Sequence, residues 1–222
     1  MITWRTITIP DTANDNTYVF GNLRVSPTLA LDKQVTAVNG EPVKDGQKGM
    51  LENLWWNDNQ TVRYSITPEL GDAITGGGNN ATIEAFTLTD QGLTMVNPAG
   101  EDLPGDVYAR GNYTFTSLVI PRPEHESFIE KDGQTVAAGS ITAKVEVQYF
   151  DGTKEIYEHE FGADSEAWKL ELPADSTARR VGGFTVTYED AAMKAASGYA
   201  LGQNFKPGTI EAEVVLYQQP YN

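Results

Sequence analysis

The chain has 222 residues, 40 % of them hydrophobic, and a formal net charge of −15. That length can bury one large core or two ordinary ones. The charge argues against nucleic acid or anionic membrane as a partner, since both carry the same sign. The lack of cysteine excludes disulfides and thiolate metal centres, and no apolar run approaches the roughly 20 residues of a membrane-spanning helix.

In chain order, residues 2–9 alternate loosely and predict a strand ended by Pro10; a polar turn at 11–16 leads to a second strand at 18–25, closed by Ser26-Pro27. Met1 to Arg5 lack the apolar core of a signal peptide. Residues 29–38 predict a strand with Lys33 in its middle, stopped by Asn39-Gly40, a strong turn dipeptide. A turn-rich stretch to Gly49 precedes residues 51–59, which hold Trp55 and Trp56. Residues 61–67 alternate Val62, Tyr64 and Ile66 against Arg63 and Ser65 until Pro68. Gly76-Gly77-Gly78 marks a loop; it is no phosphate cradle, because Gly-Lys-Ser/Thr and a following helix are missing. Residues 82–89 alternate again, with Ile83, Ala85, Phe86 and Leu88 as the inward candidates, and Asp90-Gln91-Gly92 reads as a turn. A short strand at 93–96, a loop at 98–106 and one or two strands at 108–120 complete the first half.

Pro121-Arg122-Pro123 is the best linker, since two prolines withhold ladder donors and oppose helix. Beyond it, the pattern of residues 141–149 is the clearest in the chain. Ile141, Ala143, Val145, Val147 and Tyr149 form one apolar face, and Thr142, Lys144, Glu146 and Gln148 form the other. A three-residue loop, Phe150-Asp151-Gly152 with Gly152 left-handed, pairs Val145 with Tyr157 and Ile141 with Phe161; a two-residue loop would instead set carboxylates beside the apolar row. Further strands are predicted at 168–172, 181–188 and 209–217, with a short helix within 189–197 ending at Gly198. Strands at this spacing predict an all-β protein. Its expected form is tandem immunoglobulin-like antiparallel sandwiches, with 1–27 as N-terminal strands, 28–121 as one sandwich and 122–222 as a second; one elaborated sandwich is the alternative. Residues 16–27 echo 111–121 at an offset of about one such domain.

Several groups are ligand candidates. Trp55-Trp56 beside Asn57-Asp58-Asn59 suits a sugar, with ring faces stacking and Asp58 bonding hydroxyls. Oxygen-rich loops at Asp11, Asn14 and Asp15, and at Asn57 to Asn59, are candidates for Ca²⁺, although neither has the spacing of an EF-hand loop, and no other cofactor is expected. Both histidines sit in Glu-His-Glu triplets, 124–126 and 158–160; on a strand the glutamates face away from the histidine, so metal binding would need the two triplets to meet. Gly-x-Ser-x-Gly and His-Glu-x-x-His are missing, and the expectation is a protein that is not an enzyme.

Residues 31–35 (Leu-Asp-Lys-Gln-Val), 61–67 (Thr-Val-Arg-Tyr-Ser-Ile-Thr) and 86–93 (Phe-Thr-Leu-Thr-Asp-Gln-Gly-Leu) together resemble the immunoglobulin-like repeat modules of Gram-positive cell-wall adhesins and pilin shafts. The resemblance spans about residues 28–120. It implies a stalk or adhesion module on the bacterial cell wall, outside the cell, with neighbouring modules of the same chain and a host protein or glycan as partners. Some such modules close an intramolecular isopeptide bond. By position, Lys33 would be the nucleophile and Asp90 the acid/base, with Asn112 as acceptor on a closing strand. Burial lowers a lysine's pKa and frees the lone pair this chemistry needs.

Overall fold

The row from Ile141 to Tyr149 is the spine of one sheet. In a computed structural model, which describes residues 29–44, 59–70, 83–92, 113–126, 128–129, 135–162, 164–173 and 179–217, its five alternate residues are each 0–4 % exposed. In chain order the strands are β1 (Leu29–Val38), β2 (Glu41–Pro42), β3 (Gln60–Leu70), β4 (Thr87–Asp90), β5 (Tyr113–Ile120), β6 (Glu124–Glu126), β7 (Phe128–Ile129), β8 (Thr135–Val136), β9 (Ile141–Tyr149), β10 (Lys154–Phe161), β11 (Trp168–Glu171), β12 (Val181–Asp190), β13 (Gln203–Lys206) and β14 (Ile210–Leu216), with helix α1 (Ala191–Ser197) after β12.

The β9–β10 hairpin has the expected register, Val145 opposite Tyr157 and Ile141 opposite Phe161. Gly152 sits at φ +83° in its loop, where Gly152 N–H bonds Tyr149 O and Tyr149 N–H bonds Thr153 O. A Cβ at Gly152 would meet nothing within 4 Å, so Gly152→Ala tests the backbone alone. It is expected to lower stability by about 1 kcal/mol, read as a fall in the urea midpoint at constant slope.

Two antiparallel sheets face one core. One runs β11-β5-β14-β3-β1-β2 and the other β10-β9-β12-β4. Phe115 of β5 meets Phe184 of β12 edge-on, centroids 5.3 Å apart, and both are buried. These pairings cross the expected boundary at 121/122: β3 lies beside β14, and β4 lies beside β12. Alternation shows which side chains face inward but not which strands are neighbours, so the division drawn at Pro121-Arg122-Pro123 separates neither sheet.

Other elements differ in detail. The strand expected over 82–89 is confined to Thr87–Asp90, preceded by a single bridge from Ile83 to Leu201. Asp90 is the last residue of that strand and is buried, rather than sitting in an exposed turn. Strands β6 and β13, which pair with each other, had no alternating signature. Helix α1 ends as expected, with Gly198 left-handed at φ 82° and its N–H on Lys194 O. Among the described residues no helix is long and apolar enough to cross a membrane. The expected strands at 2–9, 18–25 and 93–96, the echo of 16–27, and Gly76 to Gly78 lie outside the described residues.

Candidate functional site

Paired residues in antiparallel strands face the same side. Lys33 is opposite Ile66 and Val35 is opposite Tyr64; Ile66 and Tyr64 are buried, so Lys33 occupies an inward register of β1. The neighbouring inward residue, Leu31, remains 56 % exposed, which places this part of β1 at the margin of the core. A lysine can lie there with its stem against apolar surface and its head at an edge. Its Nζ sits 4.3 Å from the centroid of the Tyr64 ring, a cation–π distance.

From the opposite sheet, Asp90 closes the cluster. Its Oδ2 accepts from Lys33 Nζ at 2.8 Å and from the Tyr64 hydroxyl at 2.7 Å, and its Oδ1 accepts from Gly92 N at 2.9 Å. The Asp90 side chain is 6 % exposed and that of Lys33 38 %. Burial, then the Asp90 carboxylate, push the Tyr64 phenol far above its ordinary range, so it stays a proton donor. Gly92, at φ +93°, holds the backbone under the carboxylate; a Cβ there would fall 1.9 Å from the Tyr113 hydroxyl oxygen and 2.2 Å from Gly182 O. The cluster is an amine and a carboxylate in hydrogen-bond contact, shielded on one side by an aromatic ring. It can carry an ion pair between the sheets or pass a proton from nitrogen to oxygen.

The structure thus brings together two of the three residues named for a self-crosslink. Asn112 lies outside the described residues; Tyr113, the residue after it, opens β5, which β14 and β3 separate from β1. Trp55, Trp56 and Asp58 also lie outside, as do Asp11, Asn14, Asp15 and Asn57. Sequence reasoning gave Tyr64 no role and read Gly92 only as a turn residue. A tyrosine in an otherwise aliphatic inward row, whose hydroxyl needs a buried partner, was the available signal.

The histidine triplets go separate ways. In β6 the glutamates point out, Glu124 to Lys206 at 3.3 Å and Glu126 to Asn204 at 2.7 Å. His125 points in: its Nδ1 accepts from Gly202 N at 3.0 Å, and its Nε2 lies 3.2 Å from Asp190 Oδ2. Asp190 also accepts from Gly139 N at 2.5 Å and, as N-cap of α1, from Met193 N at 2.9 Å. Burial is the main cause holding His125 below its ordinary pKa, with Asp190 opposing and Arg122 assisting. In β10, His159 stacks on Trp168, centroids 5.2 Å apart. Among the described residues no three His, Asp or Glu side chains gather to hold a metal ion. Compared with protein-family models, curated proteins and solved structures, the chain has no match.

Proposed function

We propose that the chain is a non-catalytic structural module, a stalk or adhesion segment of a bacterial surface protein, built as one elaborated β-sandwich and tied internally through Lys33 and Asp90. The observation that carries this reading is the 2.8 Å contact of Lys33 Nζ with Asp90 Oδ2, which links β1 of one sheet to β4 of the other. A tie of that kind opposes sliding and separation of the sheets, the load a stalk has to bear. Its partners on this reading are neighbouring modules and a host protein or glycan outside the cell.

The covalent form of the tie is an amide. Lys33 Nζ, once deprotonated, attacks the side-chain carbonyl carbon of an asparagine; the N–C bond forms, and ammonia leaves with a proton that Asp90 has taken from the amine. The intact mass of the purified chain tests it. A deficit of one ammonia, with a linked peptide joining Lys33 to Asn112, supports the isopeptide module. A deficit of one water joins Lys33 to the Asp90 carboxyl itself. An unchanged mass removes the covalent step and leaves the ion pair as the tie.

A further inference from the structure

β10 ends its sheet, and among the described residues no strand pairs with its outer side. The phase of its backbone follows from the hairpin. Tyr149 N–H bonds Thr153 O, so 149/153 is a hydrogen-bonded pair, and 147/155, 145/157 and 143/159 repeat it. The N–H and C=O groups of Lys154, Ile156, Glu158 and Glu160 therefore point away from β9, toward the free edge. Their side chains share the sheet's outer face, where Ile156 is 50 % exposed in a row of charges. This strand is long, has no proline or bulge, and is the kind of edge that accepts another strand.

We propose that this edge pairs with a second copy of itself, antiparallel about a two-fold axis at Ile156, joining two four-stranded sheets into one. Only pairings that put outward-pointing residues opposite one another are allowed, so registers change in steps that move the axis by one residue. With the axis at Ile156, the two isoleucines cover each other, Lys154 faces the partner copy's Glu158 on both sides, and Glu160 faces Gly152, which has no side chain to repel it. Within the chain Lys144 Nζ already lies 3.6 Å from Glu158, and Lys154 Nζ lies 2.5 Å from Glu146. The outer-face row across the join then reads Gln148, Lys154, Glu158, Lys144, and its three charges alternate in sign. Moving the axis to Tyr157 sets Ile156 against Glu158 twice, and moving it to Glu158 or Glu155 sets like carboxylates on the axis. The charge pattern is self-complementary in one register, the requirement for an isologous contact.

The join supplies about six backbone hydrogen bonds and buries little surface, so the dimer depends on concentration. The net charge of −15 repels a second copy, and the measurement belongs at physiological or higher ionic strength. Sedimentation velocity over a concentration series is expected to show a monomer–dimer equilibrium for the full chain. Ile156→Lys sets two ammonium groups on the axis, beside Glu146 in each copy, and is expected to give monomer at every concentration with an unchanged urea midpoint. Because the chain has no cysteine, crosslinking reads the register: Ile156→Cys is expected to form a disulfide dimer on mild oxidation, and Glu160→Cys to stay monomeric. A wild type that remains monomeric throughout, a dimer that survives Ile156→Lys, or cysteines at 156 and 160 that crosslink equally would each overturn the proposal.

Discussion

Asp190→Ala is expected to destabilise the protein by about 3–5 kcal/mol, enough to bring a domain of ordinary stability near its unfolding threshold. The carboxylate is fully buried and serves three partners. It caps α1 through Met193 N, holds the 137–140 segment through Gly139 N, and faces His125 Nε2. Loss of a cap costs about 1 kcal/mol, an orphaned buried donor about 1–3 kcal/mol, and the imidazole loses the carboxylate that lies 3.2 Å from its Nε2. Gly139 belongs to the same design, since a Cβ there would fall 2.9 Å from Asp190 Oδ1. Asp190→Asn keeps one acceptor for Met193 N but turns an amide donor toward the others, so its midpoint should fall between those of wild type and alanine. Acid acts on the same point. His125 is held neutral in the fold, with its pKa below the unfolded value; the unfolded chain therefore binds the extra proton first, and stability rises with pH in this range. The contribution is complete above the ordinary histidine pKa of about 6.5 and is lost as pH falls through it toward the lower folded value. Urea midpoints measured between pH 7 and pH 5 should fall, and fall less in His125→Gln. Equal slopes for the two proteins would show that His125 is not the group titrating.

The tie at His125 shows where reading a sequence stops. A strand through Glu124-His125-Glu126 puts the glutamates on the face opposite the histidine, because its period is two, but three residues show neither that the strand forms nor which face is inward. Nor could they supply Asp190, whose place beside His125 depends on β6 pairing with β13 and on α1 following β12. The hairpin register was legible because the three-residue loop keeps Glu158 and Glu160 off the apolar row and leaves only Glu155, beside the loop, opposite Val147. The sheet order was not: β14 lies between β3 and β5, and each of the three carries the same kind of alternation. β13 was missed for a different reason. Gln203-Asn204-Phe205-Lys206 buries only Phe205, and Asn204 takes φ 55°, so no period exists to detect. Lys33 and Asp90 were found through short motifs. Their contact across the core was not legible, because it depends on β4 joining the sheet that faces β1.

Asp90→Ala should be the more damaging of the two ways to cut that contact, at about 2–4 kcal/mol, with Lys33→Met at about 1–2 kcal/mol. The order follows from what each change leaves behind. Without Asp90, the Tyr64 hydroxyl and Gly92 N lose their acceptor in the core; only the Lys33 ammonium, 38 % exposed, recovers water. Without Lys33, Asp90 keeps two donors, and methionine keeps a side chain of similar length with no charge to bury. An exposed ion pair would show almost no effect from either change, since such pairs are worth about 0–1 kcal/mol. A fully desolvated pair would show losses of about 3–5 kcal/mol from both. Tyr64→Phe removes a single hydrogen bond to the carboxylate and should cost about 1–2 kcal/mol. The double variant Lys33→Met with Asp90→Ala should cost less than the sum of the singles, because a pair in contact is counted twice when each member is removed alone. Urea unfolding of the four proteins measures this directly. A sum that is strictly additive would mean that the 2.8 Å contact contributes nothing to stability. A covalent amide predicts a different pattern: Lys33→Met would then abolish the mass deficit and lower stability far beyond the ion-pair range. The same four proteins therefore separate a crosslinked stalk module from one held by charge alone.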